Sequence, residues 1–133
     1  MLALSSLEKT LSILKRDILR AEANVNDEEL RNATIQQFEY SFYLCWKMLK
    51  RQIEADAPHP SAVDATSFRE LMREGFERGY ISDPEDWFLS RENRNTFAHV
   101  YDESKATIVC QSALKFEAIA QYLPSKPKAQ THD

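Results

Sequence analysis

Apolar residues recur at spacings of three and four along most of this chain, the rhythm of an α-helix that buries one face. Leu4, Leu7, Leu11, Leu14, Ile18 and Ala21 draw one such stripe, and charged Glu8, Lys15, Arg16 and Glu22 fall off it. A first helix is predicted there. Asn24 to Asp27 interrupts the pattern, and Asn26 followed three residues later by Glu29 has the form of an N-terminal capping box. A long second helix is expected from that point to about Ala57, its seam made by Ile35, Phe38, Phe42, Cys45, Leu49 and Ile53. Tyr43, Leu44, Trp46 and Met48 are apolar off this seam, so the helix must be covered on more than one side, as a central helix or by a partner chain.

Pro58-His59-Pro60 stops the second helix, because proline removes a backbone donor and restricts the residue before it. A third helix is expected over about Asp64 to Arg78, burying Phe68, Leu71, Met72 and Phe76, with Gly79 in the left-handed position that closes it. Ser82-Asp83-Pro84-Glu85 reopens a helix, with Asp83 as cap and Pro84 in the first turn. The last helix is expected from Asp102 or Glu103 to Leu123, with Val109, Ala113, Phe116, Ala120 and Leu123 inward and Pro124 ending it. Only two glycines occur and β-branched residues are scattered, so the punctuation of a sheet protein is missing. The expected fold is all-α, an antiparallel up-and-down bundle of four to five helices. Residues 1–123 are expected as one domain and 124–133 as a mobile tail without an apolar anchor.

Composition narrows the function classes. A chain of 133 residues fits one core. No apolar run approaches the roughly 18 residues of a membrane span, and the start Met1-Leu-Ala-Leu has no basic segment, which leads to the expectation of a cytoplasmic protein without membrane partners. Cys45 and Cys110 form no CxxC pair and fall within helical patterns, so buried, reduced thiols are expected. The net charge of -4 argues against general nucleic-acid binding and leaves room only for a local basic site.

The fourth helix is where patterning fails. Continued from Trp87 in steps of four and three, the apolar seam lands on Arg91, Arg94, Ala98 and Tyr101, and the row from Phe88 lands on Glu92, Asn95 and His99. Such breaks concentrate at functional sites. Asn95 and His99 share a face, as do Arg94 and Tyr101, but Arg94 and His99 diverge by about 140° at 100° per residue. A common target for the two then needs a helix end between them or a second chain, which is the reason to expect a homodimer with a composite site. Histidine exchanges a proton near neutral pH, and arginine offers a planar fork to phosphoryl oxygens. An RNase that uses the 2′-hydroxyl as nucleophile needs these two functions, and no metal or other cofactor is expected.

The bland alternative pairs Arg94 with Glu92 or Asp102 and lets His99 cap the helix. Tyr40, Phe42, Tyr43 and Trp46 are read first as core or interface, with Arg91 and Trp46 kept as candidate substrate contacts. His59 and His132 stand without a helical partner histidine, so no metal site is expected.

Arg94-Asn95-Thr96-Phe97-Ala98-His99-Val100-Tyr101, continuing into Asp102-Glu103, resembles the HEPN superfamily pattern of Arg, four residues, His, any residue, Tyr. Phe38 to Phe42, Cys45 to Lys50, Phe68-Arg69-Glu70 with Gly75 and Gly79, and Asp86-Trp87 extend the resemblance to small nucleotidyltransferase substrate-binding proteins that are similar to HepT toxins. The resemblance implies a dimerising helical bundle paired with a separately encoded minimal nucleotidyltransferase. It implies Arg94 for phosphate stabilisation, His99 for acid-base work, Asn95 for orientation and Tyr101 as an AMP acceptor. It also implies two alternatives, a metal-independent RNase toxin acting on RNA, or a non-catalytic subunit that binds the transferase's nucleotide substrate.

Overall fold

The computed structural model describes residues 3–56, 66–97 and 106–123. Among them are five helices: α1 (Ala3–Ala23), α2 (Glu28–Asp56), α3 (Phe68–Glu77), α4 (Pro84–Phe97) and α5 (Ala106–Ala120). The all-α expectation holds. Leu7, Leu11, Leu14, Ile18 and Ala21 of α1 are buried, as are all six seam residues of α2 and the five named for α5. Together with Phe68, Leu71 and Met72 of α3 and Trp87 and Phe88 of α4 they form one apolar cluster.

Of the alternatives for α2, the structure realises the central helix, since it packs against α1, α3, α4 and α5. Leu44, Trp46 and Met48 lean against the core from its flanks, while Tyr43 is 49% exposed. Thr34 Oγ1 lies 3.1 Å from the Asp17 carbonyl oxygen, and Gln37 Nε2 donates to the Thr10 carbonyl oxygen, which ties α1 and α2 together as antiparallel neighbours.

Three local expectations are corrected. The cap of α2 is Asp27, whose carboxylate accepts from the Leu30 N–H at 3.1 Å, so the box proposed for Asn26 and Glu29 is one residue out of register. The third helix begins at Phe68, not near Asp64, because Ser67 accepts from the Glu70 N–H and Glu70 reaches back to the Ser67 N–H. Phe76 is half-exposed, and Gly75 takes the inward position instead. There a Cβ would stand 3.0 Å from Leu49 Cδ2, so glycine lets α3 approach α2. Gly79 closes α3 at φ +82°, as expected, with Tyr80 N–H donating to the Gly75 carbonyl and Gly79 N–H to that of Phe76. Asp83 caps α4 as expected, accepting from the Glu85 N–H at 3.0 Å. The expected tail 124–133 and the start expected for the last helix at Asp102 or Glu103 lie outside the described residues.

Cys45 and Cys110 are free and buried, in agreement with the reading of reduced thiols. Burial pushes both thiols upward from their ordinary range, and Cys110 is pushed further by the Glu22 carboxylate. No helix among the described residues is long and apolar enough to cross a membrane.

Candidate functional site

The apolar floor of the site is a run of rings. Phe42 of α2 stacks on Phe68 of α3 at 5.9 Å, and Phe68 tilts against Phe88 of α4 at 6.3 Å. Trp87 meets Phe42 at 6.1 Å, and Trp46 meets Phe68 edge-on at 5.6 Å. These contacts follow from the seams, because α2, α3 and α4 each bring an inward aromatic residue to the same level of the bundle.

Guanidinium groups lie over this floor. Arg94 Cζ is 5.1 Å from the Phe42 centroid, and Arg91 Cζ is 4.6 Å from that of Phe68. Arg69 and Arg73, one turn apart on α3, lie 4.3 and 5.9 Å from the Phe88 centroid. The negative face of an aromatic ring attracts a cation, worth about 0.5–1 kcal/mol at an exposed position. This explains how arginine continues an apolar seam: Arg94 is half-buried and Arg91 exposed, their charged heads settled on rings that the seam residues supply.

The pairing partners differ from the bland alternative. Arg94 Nη2 donates to Asn95 Oδ1 at 3.2 Å, and among the described residues no carboxylate pairs with it, Glu92 included. Asp102, the other carboxylate considered, lies outside the described residues, as do His99 and Tyr101. The structure thus brings Arg94 and Asn95 together by a direct hydrogen bond, although helical phase put them on separate rows. Arg91 and Asn95 line an open cleft of about 200 Å³ with Phe68, Arg69, Phe88 and Glu92. Trp46 stands behind Phe68, and Phe68 connects it to the cleft.

Sequence reasoning passed over Arg69 and Arg73 as site residues. The sequence carries little signal for them: two like charges four apart cost an isolated helix about 0.2–0.5 kcal/mol, but Glu70 and Glu77, three and four residues from Arg73, offset that, and Phe88 meets the pair only through packing of α4 on α3.

A protein-family model, described as "Nucleotidyltransferase substrate binding protein like", matches residues 2–129. The chain belongs to that family. It is 34% identical over 108 residues to the "Probable ribonuclease HepT" of Haemophilus influenzae, covering 80% of this chain and 74% of that protein. A solved Haemophilus influenzae structure, described as revealing the fold of a substrate binding domain of a nucleotidyltransferase, superposes with a TM-score of 0.82 at 27% identity. That match covers 92% of this chain and 97% of the other, so the helical arrangement is a property of the family and not of this chain alone.

Proposed function

We propose that this protein is a HEPN-type, metal-independent endoribonuclease toxin that is paired with a separately encoded minimal nucleotidyltransferase. The observation that carries the reading is the state of Arg94: half-buried over Phe42, steadied by Asn95 and unpaired with any carboxylate among the described residues. A guanidinium set over a ring and hydrogen-bonded to one amide oxygen keeps further N–H donors for phosphoryl oxygens. The relative named a probable ribonuclease supports the same activity.

In this mechanism His99 takes the proton of a ribose 2′-hydroxyl, and the 2′-oxygen forms a bond to the adjacent phosphorus. The bond to the 5′-oxygen breaks, and that oxygen leaves with a proton. The products are a 2′,3′-cyclic phosphate and a 5′-hydroxyl end. Arg94 stabilises the charge that builds on the phosphoryl oxygens, and Asn95 orients Arg94. Arg91 contacts the substrate from the cleft, and Trp46 supports that surface through Phe68. Silencing proceeds by transfer of AMP from ATP to the Tyr101 hydroxyl, with release of pyrophosphate. Two copies pair so that Arg94 of one and His99 of the other face one phosphate, and exposed Tyr40, Tyr43 and Leu89 on α2 and α4 offer apolar surface for that pairing.

Incubation of the purified protein with RNA in chelator is expected to yield cyclic-phosphate ends, and Arg94→Ala and His99→Ala each to lower cleavage by about 10²-fold or more. Equal cleavage by the variants and the parent overturns the assignment. The second reading, a non-catalytic subunit that binds the transferase's nucleotide substrate, draws support from the description of the superposed structure. It predicts no cleavage by the parent and tight association with the transferase.

A further inference from the structure

We infer that the cleft between α3 and α4 and the surface beside it form a backbone subsite for RNA, in which Arg69 in the cleft wall and Arg73 one turn along α3 hold phosphates next to the scissile one. The inference rests on the ribonuclease reading above, and it adds residues of a helix to which that reading gives no role.

The first ground is the disposition of charge. In a chain of net charge -4, four arginines gather over Phe42, Phe68 and Phe88. Two of the three acidic residues of α3 are engaged elsewhere: Glu70 accepts from the Ser67 hydroxyl at 2.9 Å, and Glu74 pairs with Arg78 at 3.2 Å, while Glu77 stands exposed one turn past Arg73. Glu92 is the carboxylate that remains at the cleft. Among the described residues Arg69, Arg73 and Arg91 join no ion pair. Three guanidinium groups thus outnumber the nearby free carboxylates, Glu92 and Glu77, at an open surface, where an anion is favoured.

The second ground is spacing. The rings that carry Arg94, Arg91 and the Arg69–Arg73 pair follow one another at 5.9 and 6.3 Å between centroids, so the cations are met in that order across the floor. An extended strand whose scissile phosphate meets Arg94 then passes its next phosphates over Arg91 and into the cleft. At about 200 Å³ the cleft is smaller than the roughly 300–1,000 Å³ of pockets that enclose a whole ligand. It suits one phosphate of a strand that continues past it. A ring beneath each cation fixes the guanidinium without consuming its edge donors, so the row is set before the strand arrives.

The test uses the full chain and a short, labelled single-stranded oligouridylate with 2′-O-methyl groups, which block cleavage by removing the nucleophile. Binding is followed by anisotropy over a salt series. Arg69 and Arg73 are both exposed, so Arg69→Gln/Arg73→Gln is expected to fold as the parent does, which circular dichroism checks. The double variant is expected to bind about tenfold more weakly, and its plot of log K against log salt to lose about 0.7 in slope for each phosphate contact removed. On cleavable RNA its KM rises while kcat stays within about twofold, since Arg94 and His99 are intact. Unchanged affinity and slope in a double variant of a parent that cleaves RNA overturn the subsite and leave the ribonuclease reading standing. Weakened binding to the nucleotidyltransferase with unchanged RNA binding also overturns it, and assigns the arginines to protein docking. A parent that neither binds nor cleaves RNA overturns both.

Discussion

Tyr80 joins two ends of the chain's middle by a single short contact. Its hydroxyl donates to Asp56 Oδ2 at 2.6 Å, and Arg78 Nη1 stands 3.7 Å from the same oxygen, so the last turn of α2 is fastened to the segment that leaves α3. Burial, and after it the hydrogen bond and negative charge of Asp56, push the Tyr80 phenol up from its ordinary value near 10 to about 12. A phenol whose folded value is raised holds its proton in the folded state after the unfolded chain has lost it. Its contribution to stability is therefore complete below pH 10 and is lost as pH rises toward 12. Urea denaturation at several alkaline pH values is expected to show that decline. Tyr80→Phe should be less stable at neutral pH by about 1 kcal/mol, the typical net value of one hydrogen bond, yet fall less steeply above pH 10. Parallel declines in the two proteins would remove Tyr80 from the explanation.

At the scale of elements, α3 shows why boundaries were harder to read than helices. Periodicity placed Phe68, Leu71 and Met72 inward, but its start is decided by one side-chain exchange between Ser67 and Glu70, which a stripe of apolar residues does not register. Its end was legible, because Gly79 at φ +82° satisfies a requirement that other residues meet only with strain. Nothing lies within 4 Å of a Cβ built at Gly79, so Gly79→Ala tests backbone strain without steric overlap. It is expected to destabilise the protein by about 1–2 kcal/mol in thermal or urea unfolding. The α2 seam was read correctly up to its first turn, where Arg31, one step of four before Ile35, is only 2% exposed. Among the described residues its Nε and Nη1 have no hydrogen-bond partner. Hydropathy gives such a residue no reason to be inside.

On the whole-molecule scale, the break in patterning on α4 pointed to the candidate site at Arg91, Arg94 and Asn95, while the arginines of α3 join it only through tertiary packing. Helical phase supplies the remaining argument. Arg94 leans over Phe42 of its own chain, and at 100° per residue a helix carried on to position 99 would set His99 about 140° from it, which is the ground for the proposed composite site. The proposed two-fold dimer would place Arg94 of one copy opposite His99 of the other, and by symmetry would do so twice. The arrangement has a stoichiometric consequence. In such a dimer Arg94→Ala and His99→Ala are each expected to be inactive as homodimers, and a mixed dimer to hold one site with both native groups and one with neither. If subunits exchange at random, about half the dimers are mixed and half their sites are intact, so an equimolar mixture is expected to recover about a quarter of the parent's cleavage rate. Activity should appear with the time course of subunit exchange and be suppressed when each variant is cross-linked as a homodimer before mixing. If Arg94 and His99 of the same chain instead formed the site, a mixed dimer would contain no complete set, and mixing would restore nothing at any time.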